Sequence, residues 1–294
     1  MVDYEAALRK PIKDFGKFGI GVILFMIGSA LTRIPNIIVE LITIWIGFVI
    51  TWIASGFAME CSGLGKNKPG DEMPEWNDWW NLFVKGFLAA VIAFIYAIPA
   101  LALFVIALLP LIRTLVSYFI SLMSGMAGAT NQDAVIEQLT TTLSSGQFLM
   151  TAGILILVAV VLMLLAAYLI PAAILNCVKN GKFGKAFSFG EIFRKALTRK
   201  YFMAALVLAA MNICLAIGFV IVSIPVGIVF GILSLLVPIL GSITSYLWGL
   251  MVSAAYCFYF LVVSYTIYGQ VFMELDGNAG VTAEAKAQAW KGKA

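Results

Sequence analysis

Seventeen of the chain's nineteen Lys and Arg residues lie in four polar stretches, and long apolar runs separate those stretches. The stretches are the N-terminus (Arg9, Lys10, Lys13, Lys17), residues 66–85, residues 179–200 and the tail (Lys286, Lys291, Lys293). Only Arg33 and Arg113 stand apart. Positive charge is retained on the cytoplasmic side of a membrane. The alternation therefore predicts a chain that crosses a bilayer repeatedly, with both termini in the cytosol. Composition agrees, with 62% of residues hydrophobic and 12% charged. A soluble domain has about 45–50% apolar and about 25% charged residues.

A bilayer core about 30 Å thick takes about 20 apolar residues per helix. The expected fold is all-α and integral to the membrane, with six crossings near residues 18–32, 37–59, 83–112, 148–176, 201–222 and 243–273. Residues 223–242 are apolar but interrupted by Pro225, Pro238 and Gly241. They read either as an extension of the fifth helix or as a re-entrant piece. No polar stretch is long enough to bury a core of its own, so residues 1–275 are expected to be one polytopic domain and 276–294 a polar tail. The first apolar run lacks a clear cleavage site and reads as a retained helix.

Each pair of crossings follows a short segment with aromatic and aliphatic residues every three or four positions. The first has Tyr4, Leu8, Ile12, Phe15 and Phe18; the second has Trp76, Trp79, Trp80, Phe83 and Phe87; the third has Phe189, Ile192, Phe193, Leu197 and Tyr201. That spacing puts the rings on one helical face, as in a helix lying in the headgroup plane. Cys61-x-x-x-Gly65-Lys66 and Cys177-x-x-x-Gly181-Lys182 also echo each other at the ends of the second and fourth crossings. A glycine there suits a left-handed cap and a lysine suits the helix dipole. The expected architecture is three units (4–60, 75–176, 187–273), each an amphipathic interfacial helix followed by a helical hairpin.

Pro74-Glu75-Trp76-Asn77-Asp78-Trp79, with Leu82-Phe83-x-x-Gly86, resembles a signature of a prokaryotic, mainly archaeal family of multi-pass membrane proteins known only as a domain of unknown function. Phe187-x-Phe189-Gly190-Glu191-Ile192-Phe193 resembles a second signature of that family, and Tyr268-Gly269-Gln270 a third. The resemblance runs from about residue 4 to 275. It implies a helical membrane fold and no activity.

Several chemistries are disfavoured. The chain has no histidine and no C-x-x-C pair, which removes the usual zinc, haem and Rieske ligands and any Ser-His-Asp arrangement. No Walker pattern surrounds Lys66 or Lys182. Asp71, Glu72, Glu75 and Asp78 cluster beside Pro74 without EF-hand spacing, and acids there suit a helix start. Basic residues that flank membrane helices meet lipid headgroups sooner than nucleic acid. No cofactor, metal or catalytic residue is expected.

Two intramembrane polar positions remain. Glu40, near the outer end of the second crossing, either marks a functional site or pairs with Arg33 across the outer turn. Asn212, in the middle of the fifth crossing, either lines a solute path or hydrogen-bonds a neighbouring helix. The expected function is non-catalytic: a scaffold or accessory subunit of the cell membrane. Trp76, Trp79, Trp80, Phe83, Phe189, Phe193, Lys66 and Lys182 would meet lipid headgroups, a membrane-protein partner or a second copy on the cytoplasmic face. The alternative is a transporter or channel for a lipid or small neutral solute, since repeats and broken helices are common in transporters.

Overall fold

The computed structural model describes residues 2–31, 37–64, 72–123, 137, 140–141 and 145–291, and among them the regular elements are helices. In chain order these are α1 (Tyr4–Lys13), α2 (Phe15–Leu31), α3 (Ile37–Glu60), α4 (Trp79–Met123), α5 (Gly146–Asn180), a 3₁₀ turn (Phe183–Phe187), α6 (Phe189–Ala196), α7 (Arg199–Leu236) and α8 (Pro238–Lys291). Five helices are long and apolar enough to cross a membrane by themselves. Helices α1 and α2 together make a sixth candidate, bent by 80° at their junction. The protein is thus a multi-pass, all-helical membrane protein.

Local sequence explains the breaks. Asp3 caps α1, its Oδ1 accepting from the Ala6 N–H at 2.9 Å. Lys13 and Asp14 interrupt the apolar pattern, and the chain turns there into the apolar α2. Thr198 caps α7 through the Tyr201 N–H, which separates α7 from the short α6. The second expected interfacial helix is not a separate element. Glu75 to Asp78 are non-helical, Asp78 accepts from the Asn81 N–H at 3.2 Å, and from Trp79 the helix continues to Met123. No helix-breaking residue follows Trp79 before apolar sequence resumes, so its rings belong to the first turns of a long helix.

Of the two repeated glycine caps, the one at Gly181 is as expected. Gly181 follows α5 directly with φ +62°, and its N–H reaches the Cys177 carbonyl. After α3 the left-handed residue is Gly63 (φ +71°), whereas Gly65 and Lys66 lie outside the described residues. Residues 223–242 do not form a separate partial helix: α7 runs through to Leu236, Val237 makes the turn, and α8 begins at Pro238.

The chain divides into two units, Met1–Ile92 with Pro171–Ala294, and Ala93–Ile170. The second unit contains the later part of α4, with Pro99 and Pro110, and the earlier part of α5. Most of its large apolar side chains, such as Phe104, Phe119, Leu157 and Leu164, are exposed, as expected of helices solvated by lipid.

The core sits in the first unit, at the end that carries the basic residues. Phe57, Phe258, Tyr201 and Phe272 are fully buried there. Helix α8 packs against α1, α2, α3 and α7. Close backbone approach is built in: a Cβ on Gly56 would strike the Leu82 backbone, and one on Gly86 would strike Trp52. The two glycines thus let α3 and α4 touch main chain to main chain, as small residues do in membrane helix pairs.

Candidate functional site

The residues of the three family-like signatures converge on the charged end and mostly hold it together. Trp76 is 8% exposed and stacks flat on Phe57, with ring centroids 3.8 Å apart and 7° between planes. Its Nε1–H donates to the Lys17 carbonyl at 3.1 Å. Glu75 pairs with Lys17 at 2.7 Å, and Lys17 also pairs with Asp14 at 3.0 Å. Tyr268 stacks on Tyr201 at 5.0 Å. A Cβ at Gly269 would strike the Ser62 backbone, and Gln270 Oε1 accepts from the Asp3 N–H at 2.7 Å.

Glu191 and Lys195 on α6 join a second polar cluster. Asn176, fully buried, donates to the Lys185 carbonyl at 2.9 Å. Burial would raise the Glu191 carboxyl, but the hydrogen bond with Asn176 and the charges of Lys185 and Lys195 outweigh it and hold the group below 4.5. Asp276 is shared by Lys179 at 2.5 Å and Lys195 at 3.2 Å. Lys195 is 5% exposed and lies over the Phe272 ring at 4.4 Å. Burial draws its ammonium below the usual 10.5, partly offset by Asp276.

A third cluster surrounds the end of α3. Glu60 Oε1 is ion-paired with Lys85, and Glu60 Oε2 is buried with no partner among the described residues. The Cys61 carbonyl accepts from Lys10 Nζ at 3.1 Å and from Thr266 Oγ1 at 3.3 Å. Burial pushes the Cys61 thiol up to about 12, so it is an inert packing group. Among the described residues no group of three His, Cys, Asp or Glu side chains is placed to hold a metal. Of the acidic cluster beside Pro74, Asp71 lies outside the described residues.

The remaining sequence-predicted residues divide by exposure. Trp79 and Trp80 are exposed, the latter by 74%, as are Phe189, Phe193 and Lys182. Phe83 is partly buried between Trp52 and Trp80. Trp76 is the departure, since its ring belongs to the core. The periodicity placed it on the same face as Trp79 and Trp80, but it precedes the helix and folds inward. Arg33 lies outside the described residues, as does the side chain of Glu40. Asn212 accepts a hydrogen bond from the Tyr256 hydroxyl at 2.5 Å, joining α7 to α8.

One concavity is not signalled by residue patterns. A groove of about 810 Å³ runs between α2, α7 and α8. Phe15, Phe18 and Tyr259 form its end near α1, and Met26, Val222 and Met251 line it farther along the helices. The Tyr259 hydroxyl donates to the Leu8 carbonyl at 3.0 Å, which ties that end to α1. A smaller hollow of about 220 Å³ lies by Asn81, Lys85, Cys177 and Gly181. The large groove has the size of a small-molecule site, about 300–1,000 Å³, and its walls are almost wholly apolar.

Residues 39–226 match the model of a family described as protein of unknown function (DUF4013). The chain belongs to that family. No curated protein and no solved structure matches it. The family region is narrower than the sequence resemblance implied. It takes in the Trp76 and Phe193 signatures and the α7 wall of the groove, while α1, α2 and the whole of α8 lie outside it.

Proposed function

We propose that this is a non-catalytic membrane protein that holds lipid. An apolar chain occupies the groove between α2, α7 and α8, and the lipid's polar end rests by α1. The 810 Å³ groove carries the reading. Such a groove takes an apolar chain in preference to a solute with hydrogen-bonding groups, which would be left without partners there. The exposed Ile12, Phe15, Trp79, Trp80, Phe189 and Phe193 suit contact with the headgroup layer at that end. The Lys and Arg asymmetry supports a cell-membrane protein with both termini in the cytosol. The transporter alternative gains less support, because Asn212 is engaged by Tyr256.

Gly218 lines the groove and has open space where a side chain would project. Gly218→Trp should fill the groove without disturbing the fold. Lipid retained after gentle extraction, counted by native mass spectrometry, should fall several-fold in this variant and remain in Gly249→Trp, a second open position outside the groove lining. Equal retention in the two variants would defeat the proposal.

A further inference from the structure

Independently of the groove, the hairpin of α7 and α8 has a turn built for hydrocarbon. No Asp, Glu, Lys or Arg occurs between Lys200 and Glu274. The turn consists of Leu235, Leu236, Val237, Pro238, Ile239 and Leu240, with Leu235 84% and Ile239 77% exposed. Other connections in the chain carry polar residues: Arg33 and Asn36 between α2 and α3, and Asp133 and Glu137 between α4 and α5.

Polar groups at the turn are directed back onto the chain. Ser234 Oγ donates to the Gly231 carbonyl at 3.3 Å, Ser242 Oγ to Pro238 at 2.8 Å, and Thr244 Oγ1 to Leu240 at 2.8 Å. The Val237 N–H reaches the Leu233 carbonyl at 2.7 Å and the Gly241 N–H reaches Val237 at 2.9 Å. Pro238 has no N–H to satisfy. A Cβ at Gly241 would strike Ser234, so the two helices meet closely at the turn. Pairing of these hydroxyls and of the Val237 and Gly241 amides within the chain suits a lipid environment.

Length sets a demand that the bilayer and the hairpin must meet. The 38 residues of α7 reach about 57 Å at 1.5 Å per residue, almost twice the roughly 30 Å hydrocarbon core. A straight helix of that length would have to lean about 58° to stay inside, beyond the usual range of up to about 40°.

We infer that the turn of the α7–α8 hairpin is a lipid-embedded surface whose occupant is bilayer hydrocarbon. Lean of the hairpin and local thickening of the bilayer together absorb the excess length. The full chain is placed in phosphatidylcholine–phosphatidylglycerol vesicles as Ile239→Cys, Leu236→Cys or Ser145→Cys. Each is treated with a membrane-impermeant maleimide from both sides after freeze–thaw loading, with the unmodified chain as background. Labelling at 239 and 236 should be about tenfold slower than at 145 and should rise to match it once the vesicles are dissolved and the protein unfolded, because hydrocarbon excludes the reagent. Aqueous labelling of 239 at the rate of 145 overturns the inference. So does a disulfide-linked dimer through Ile239→Cys, which would show that a second copy covers the turn.

Discussion

The two ends of the α7–α8 hairpin are built by opposite rules. At the charged end, Tyr201, Phe258 and Phe272 are fully buried. At the turn, Leu235, Leu236 and Ile239 touch little of the protein. The same two helices therefore pass from a protein interior to a lipid-solvated exterior with hardly any change in composition. Hydrophobicity assigns the solvent, and it does not say where side chains meet each other. What marks the packed end is small residues opposite large ones, such as Gly21 against Phe258.

Substitutions should separate the two ends, beginning with the largest effect. Gly56→Leu pushes a side chain into the Leu82 backbone, and it should leave little folded protein on size exclusion in mild detergent, because neither main chain can give way. Gly227→Leu, a glycine with open space around it, should leave the profile unchanged. Next is Trp76→Ala, which removes the ring stacked on Phe57 and should cost about 3–5 kcal/mol in reversible unfolding. Trp80→Ala, by contrast, should stay within about 0.5 kcal/mol.

An intermediate effect concerns acid. The Glu191 carboxyl is held below its ordinary 4.5 in the fold, so it stabilises the protein fully above that value. The contribution is lost as pH falls through the lowered folded value. Thermal midpoints of the wild type should therefore drop more steeply below pH 4.5 than those of Glu191→Gln. Parallel curves would mean that Glu191 is not linked to folding. Smallest is Tyr256→Phe, which removes the hydroxyl bonded to Asn212 and should cost about 0.6 kcal/mol, the average for hydrogen bonds between membrane helices. A loss of several times that amount would mark the pair as part of a larger polar network.

Much of the helical order is legible in the sequence. Apolar run lengths locate the membrane helices, and the heptad-like spacing of Tyr4, Leu8 and Ile12 locates α1. The reading stops short where two solutions share one pattern. Trp76, Trp79 and Trp80 have helical spacing, yet Trp76 lies before the helix, and only the Lys17 carbonyl and the Phe57 ring explain its inward turn. Pro225 suggests a break, but a proline inside a lipid-solvated helix is tolerated, and α7 continues past it. The groove left no signal at all. Its lining uses the same Val, Ile, Met and Phe as the lipid-facing surfaces, and concavity comes from how three helices diverge. Lys10, Glu60 and Lys85 were legible only as charges; the burial of Lys10 and Glu60 around the end of α3, and the pairing of Glu60 with Lys85, depend on contacts far apart in sequence.

The 80° turn between α1 and α2 has a consequence for how deep the molecule sits. Helix α1 lies crosswise to α2, with Arg9 and Lys13 exposed beside Ile12, a mixture of charged and apolar side chains that suits a helix at a water–lipid boundary. With α1 in that plane the boundary would pass close to Asp14, and the N-terminal ten-residue helix would act as a depth gauge for α2 and the helices packed on it. Severing α1 from α2 with a flexible insertion would then let those helices ride at a different height.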